Sequence, residues 1–294
     1  TDNITVDNYI DITGDVNLCL NSKTLSTSLV NTTGQNIAFI LVDQNRTLTL
    51  CDCDTKSAGT IQTENKLSYG VRTSASGKFA MYGGKITGVE CGVYAADQFA
   101  MYGGTITGTK RGVYALGQFA MYGGTITGNT VYGVRPGDTA TLTFGGDAKI
   151  KDNTNINVSL LNTATITIDA SLTQDARIGV SLLDQDVPAG TAKKQFATGA
   201  NSSDLNYGDI FSCDNGSKYV VSKDKDGKLY FALHQHSWSY TANGAIITAT
   251  CENCPLETGG SNAYSGSITI EAPASTLTYD GTPKEAKVTK TQWS

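Results

Sequence analysis

Three successive copies of a block of about 20 residues constrain this chain more than any other feature. GKFAMYGGKITGVECGVYAAD, DQFAMYGGTITGTKRGVYALG and GQFAMYGGTITGNTVYGVRPG put Phe79, Phe99 and Phe119 at a period of 20. Met81, Met101 and Met121 keep that spacing, as do Ile86, Ile106 and Ile126. A block this short cannot enclose its own core, so neighbouring copies must share one. Within each block the Phe, Met and Ile alternate with small or polar residues, the period-2 pattern of a strand with one face buried. Glycines then interrupt the strands where the chain has to turn, because a tight corner often needs a positive φ.

Strand, corner, strand, corner, strand in about 20 residues is one coil of a parallel β-helix. Each coil hydrogen-bonds to the next at a strand spacing of about 4.8 Å. Degenerate coils flank the exact copies: DVNLCLNSKTL, NIAFILVD and TLTLCDCD upstream, ATLTFGGDAKIKDNTNINVSLLNTATITIDASL downstream. The helix is expected to run from near Ile4 to beyond Ile168. Residues 172–233, with ARIGVSLL, KYVVSKD and KLYFAL, read as irregular last coils and a cap over the terminal edge.

Composition agrees with an all-β reading and removes several functions. In 294 residues, 39% are hydrophobic and 17% charged, with 32 glycines and 5 prolines, which suits a folded chain rich in strands and turns. The net charge of −5, with Lys and Arg scattered singly, excludes a basic groove for nucleic acid. No run of about 18 apolar residues occurs, so no membrane insertion is expected in this segment. Thr1 is not followed by a basic and then apolar leader, and TLTYDGTPKEAKVTKTQWS reads as a strand, a turn and another strand with no closing sequence, so the chain is expected to be part of a longer protein.

The combination of NLCLNSKTL, LTLCDCD, tandem MYGGTITG coils followed by GVY, and ARIGVS ahead of KLYFAL resembles the β-helical surface proteins of gut-type Gram-positive anaerobes. The likeness covers residues 4–233. It implies a right-handed, pectate-lyase-like solenoid within a large exported protein of the cell surface, of a kind described as adhesin-like and mostly without a demonstrated activity. It also implies partners: a glycan or protein on a host or neighbouring cell, and further domains of the same protein. HSWSYTANGAIITATCENC, then ITIEAP and LTYDGTPKEAKV, is similar to the connector and opening strands of an Ig-like repeat in such proteins. The expected organisation is therefore a β-helix over 1–233, a small β connector over 234–272 and the first strands of an Ig-like module over 273–294. The resemblance carries over no catalytic residue.

The outward positions offer the candidate binding site. If Phe and Met point in, Tyr82, Tyr102 and Tyr122 point out and stack as an aromatic ladder. Tyr94 and Tyr114, with Arg72 and Arg135 at matching positions, form a second. Such a stripe can stack on sugar rings or pack on a protein, and it can equally be cross-strand packing that stabilises the sheet. Enzymes on such a fold need clustered carboxylates. The regular coils carry isolated acids such as Glu90 and Asp97, whereas Asp184, Asp186, Asp204 and Asp209 in the irregular segment are the material for a polysaccharide lyase or hydrolase site. Asp52 and Asp54, with Lys56 near, read as turn caps.

The seven cysteines leave alternatives open. Leu18-Cys19 and Leu50-Cys51 share a strand register, so Cys19 can bridge Cys51 or Cys53, or the thiols can stack inertly. His234, His236, Cys251 and Cys254 have the stoichiometry of a structural zinc site, against a Cys251 to Cys254 disulfide or free thiols. Cys91 and Cys213 read as unpaired. No other cofactor is expected.

Overall fold

The alternation in each block becomes three short strands per coil. In the block that opens the tandem run these are Lys78–Met81, Lys85–Thr87 and Cys91–Ala95, with equivalents in the next coil at Gln98–Met101, Thr105–Thr107 and Arg111–Ala115. The computed structural model describes residues 3–31, 35–54, 58–63, 67–160, 164–234, 238–251, 265–270 and 288–293. The chain divides into two compact units, Thr1–Leu233 and His234–Ser294. No helix among the described residues is long and apolar enough to cross a membrane.

Thr1–Leu233 is a parallel β-helix. Its first face contains strands Val16–Cys19, Thr47–Cys51, Lys78–Met81, Gln98–Met101, Gln118–Met121, Thr141–Phe144 and Ile166–Ile168, each parallel to the next. The second face runs from Ile4–Val6 through Lys85–Thr87 to Lys149–Ile150, and the third from Ile10–Ile12 through Cys91–Ala95 to Ile156–Leu160. Strand Arg177–Leu182 pairs with both Lys149–Ile150 and Ile156–Leu160, so one six-residue strand closes the second and third faces into a single sheet.

Register makes the core. Phe79 lies on Phe99 and Phe99 on Phe119, with ring centroids 5.0 and 5.2 Å apart. Met81, Met101 and Met121 are fully buried beside them. Ile61, Ile86, Ile106, Ile126, Ile150 and Ile178 form a second internal column, and Val71, Val93, Val113, Val134, Val158 and Val180 a third. The corner after the first face closes through glycines in the left-handed region, Gly84, Gly104 and Gly124 at φ +82°, +83° and +84°. A Cβ on Gly104 would come 2.7 Å from the Gly84 carbonyl oxygen, so the corner requires its absence as well as its φ.

The twenty-residue coil holds for the tandem copies only. Upstream, Val16 lies on Leu48 and Leu48 on Phe79; downstream, Phe119 lies on Leu142 and Leu142 on Ile166. Those coils are longer because pairing fixes strand register alone, and corners absorb extra residues at little cost. The parallel order ends in the segment read as a cap. Strand Leu229–Leu233 is antiparallel to both Lys193–Thr198 and Tyr219–Lys223, and the four-residue helix Tyr207–Ile210 precedes Phe211–Cys213, the last parallel strand.

The second unit is a four-stranded antiparallel sheet ordered Trp238–Asn243, Ile246–Cys251, Ser265–Ile270, Val288–Trp293. Strands from the segments 234–272 and 273–294 thus join one sheet.

Because Phe99 is stacked on both sides and 1% exposed, Phe99→Ala should lower stability by about 3–5 kcal/mol in chemical denaturation. Lys78→Ala, at an exposed position of the same face, should stay within about 0.5 kcal/mol.

Candidate functional site

Tyr82, Tyr102 and Tyr122 stand where the chain leaves the first face for the Gly-Gly corner. Their backbone N–H groups donate to Leu50, Met81 and Met101 carbonyls at 2.8 Å each, so the ladder extends one residue past the strand ends. The side chains emerge opposite the buried Met of the same strand, as pleating requires. Ring centroids are 4.6 Å apart for Tyr82 and Tyr102 and 5.3 Å for Tyr102 and Tyr122, at interplanar angles of 10° and 14°. Tyr82 and Tyr102 are 54% and 44% exposed, while Tyr122 is half-buried, its ring against Gly145. Partial burial and the two flanking phenols push the Tyr102 hydroxyl above its usual range.

Tyr94 and Tyr114 lie in one column of the third face with Arg72 and Arg135. These rings do not stack flat: Tyr94 and Tyr114 meet edge to face at 65°, and Tyr69 and Tyr94 are tilted by 56°. The Arg72 guanidinium lies 5.9 Å from the Tyr69 ring centroid and 5.5 Å from that of Tyr94. In the adjacent column Cys91, Arg111 and Tyr132 follow Tyr69, and Glu90 pairs with Lys110 at 2.6 Å and Arg111 at 3.6 Å. The two tyrosine ladders therefore differ in chemistry: one is a flat stack of outward rings, two of them exposed and one half-buried, the other a tilted row punctuated by cations.

The cysteine alternatives resolve at the N-terminal coils. Cys19 is bonded to Cys53, with Cα atoms 6.2 Å apart, and Cys51 keeps a free thiol although it is the residue paired with Cys19 in the sheet. Neighbouring outward positions at sheet spacing leave Cys51 beside the bridge, and all three Sγ atoms lie within 4.8 Å of one another. Cys91 and Cys213 are buried free thiols, which burial pushes up to about 12 and about 11. That makes them poor nucleophiles. His234 is among the described residues; His236, Cys254 and the Cys251 side chain lie outside them, and with them the zinc and Cys251–Cys254 alternatives.

Of the carboxylates named from the sequence, Asp52, Asp186, Asp204 and Asp209 are engaged by neighbouring backbone and side-chain groups. Asp52 accepts from the Ser22 and Gly59 backbone N–H groups, holding the first corner as a cap. Asp186 pairs with Lys194 at 2.7 Å, Asp204 accepts from the Ser203 hydroxyl, and Asp209 accepts from Asn206 and Gln174 side chains.

A buried polar ladder escaped the sequence reading. At the corner between second and third faces, the Thr109 hydroxyl donates to the Asn129 Oδ1 (2.7 Å), Asn129 Nδ2 to Asn153 Oδ1 (2.9 Å), and Asn153 Nδ2 to Asn157 Oδ1 (2.9 Å). Asn157 Nδ2 then donates to Asp214 (3.0 Å), whose carboxylate also accepts from Ser181. Asn129 is fully buried, so each amide hydrogen bond satisfies a group that would otherwise be desolvated without a partner. The signal was a polar residue three positions after Ile106, Ile126 and Ile150.

Comparison with known proteins returns no match: no family model fits the chain, and no curated protein or solved structure is similar to it.

Two measurements follow from this geometry. Intact mass after alkylation without reduction should show Cys19 and Cys53 protected and Cys51 modified under denaturing conditions. Cys53→Ser should lower stability by up to about 3–4 kcal/mol, given the sequence separation of 34. For the ladder, a phenol whose folded value is raised contributes stability that is full below the unfolded value and is lost as pH rises through the folded one. The difference between wild-type and Tyr102→Phe phenolate absorbance should thus place the Tyr102 ionisation above pH of about 10. A transition at or below that value would mean that neither burial nor the flanking phenols act on the Tyr102 hydroxyl as the stack requires.

Proposed function

We propose that the solenoid is a non-catalytic scaffold of an exported surface protein, and that its first face contacts glycans or proteins of other cells. One observation carries the reading: Tyr82, Tyr102 and Tyr122 form a flat, outward stack on a backbone fixed by coil-to-coil hydrogen bonds. Rings held coplanar lose little conformational entropy on binding, and their apolar faces gain from burial while the hydroxyls stay wet. A pyranose chain presents apolar C–H faces that such rings can cover.

The remaining features support placement outside the cell. A Cys19–Cys53 disulfide persists in an oxidising compartment and is disfavoured in a reducing one. Stacked coils make a stiff spacer able to carry further domains of the same protein.

Glycan-array screening followed by calorimetry on the best hit tests this. Tyr102→Ala with Tyr122→Ala should weaken binding about 10- to 100-fold, as expected for removing two aromatic anchors. Undiminished binding in the double variant would sink the ladder as the contact. Release of reducing or unsaturated ends from any polysaccharide would replace the scaffold by a lyase or hydrolase.

A further inference from the structure

The third face carries a feature that the first lacks, a cation set between aromatic rings at the rim of a cleft. A cavity of about 170 Å³ is lined by Tyr9, Asn36, Ile37, Ala38, Leu41 and Arg72. These residues come from three successive third-face coils, since Ile10 pairs with Ile40 and Leu41 with Arg72. The Arg72 Nε is buried without a hydrogen-bond partner. Buried polar atoms are bonded in the large majority of cases, and an unbonded guanidinium nitrogen is costly unless something supplies an acceptor. Among the described residues no carboxylate pairs with Arg72. Asp11 belongs to the same column, but Leu41 intervenes and sets it two coil spacings away, about 10 Å.

We propose that this cleft binds a terminal sugar that bears a carboxylate. The shape and chemistry of each wall select that class. A guanidinium presents a planar fork that matches a carboxylate with two parallel hydrogen bonds, and the neighbouring Tyr69 and Tyr94 rings limit its freedom beforehand. Ile37, Ala38, Leu41 and the Tyr9 ring offer apolar surface to a ring face or an acyl methyl, and the Asn36 amide is at hand for a hydroxyl. The cavity falls below the roughly 300–1,000 Å³ of sites for drug-sized ligands, which fits one terminal unit better than the interior of a chain. Charge agrees: a chain of net charge −5 places Arg72, Arg111 and Arg135 on one face, and among the described residues only Arg111 of the three pairs with a carboxylate, that of Glu90.

This inference rests on the reading of the solenoid as a glycan-contacting surface and adds a second, chemically distinct subsite on another face. The test uses the full chain with sialyllactose, a glucuronate-terminated trisaccharide of the same neutral core, and lactose, measured by calorimetry. The wild type should bind at least one acidic probe ten-fold or more tightly than lactose. Which of the two acids is preferred identifies the source of the carboxylate. Arg72→Gln should abolish the preference and Arg72→Lys should restore part of it. Tyr9 is 47% exposed, so Tyr9→Ala should fold normally and weaken the acidic probe several-fold. Equal affinity for acidic and neutral probes, or a preference that survives both Arg72→Gln and Tyr9→Ala, would overturn the proposal. The Tyr102→Ala, Tyr122→Ala double variant separates the two readings. If neutral binding is lost there and no acid preference exists in the wild type, the ladder stands and this subsite falls; if the acid preference persists while neutral glycans are unaffected, the converse holds.

Discussion

Coil-to-coil backbone pairing is the constraint from which the rest of this protein follows. Parallel strands at about 4.8 Å oblige every side chain to lie over its equivalent in the next coil, inside and outside alike. Inside, the obligation produces Phe over Phe, Met over Met and Ile over Ile, each column buried from solvent. Outside, the same geometry produces the tyrosine stack, the arginine and tyrosine columns, and the approach of Cys19, Cys51 and Cys53. A surface property of one coil becomes a property of the whole face, because the backbone repeats it.

The tandem blocks made the fold legible. Phe79, Phe99 and Phe119 at fixed spacing admit few arrangements other than stacking, and the alternation around them places Tyr82 outside once Met81 is inside. Legibility failed where coil length varied. Nothing local to Leu48 indicates that Phe79 is the residue above it, since the intervening corners lengthen without altering the strands. The Arg72 cleft was invisible for the same reason: Tyr9, Asn36 and Arg72 are far apart in sequence and meet only once the long N-terminal coils have been wound.

The choice of cysteine partner shows a finer limit. Strand register pairs Cys19 with Cys51, yet the bond forms to Cys53, beyond the end of the strand. Cys51 is held to the pleat, with its thiol directed at the Leu18 carbonyl, whereas Cys53 has left the sheet and is free to turn toward Cys19. Asp52 between them anchors that exit through the Ser22 and Gly59 N–H groups. Spacing identified the neighbourhood, and the corner determined the bond.

The asparagine row has a direction that the apolar columns lack. Along the row each amide donates to the next rung toward the C-terminal side, while Asn129 and Asn153 also donate back to the Ile106 and Ile126 carbonyls, and the row terminates on the Asp214 carboxylate, a group able only to accept. Phenylalanine rungs are interchangeable, so a tandem block could be duplicated or deleted with the interior still filled. Asn129, Asn153 and Asn157 each offer a donor and an acceptor, so a further asparagine rung would keep their row continuous, whereas a coil with Val89 in the equivalent place would leave an amide donor and an acceptor unpaired in a buried corner. Growth of this solenoid by copying beyond Thr109 is thus open only to a coil that brings its own asparagine.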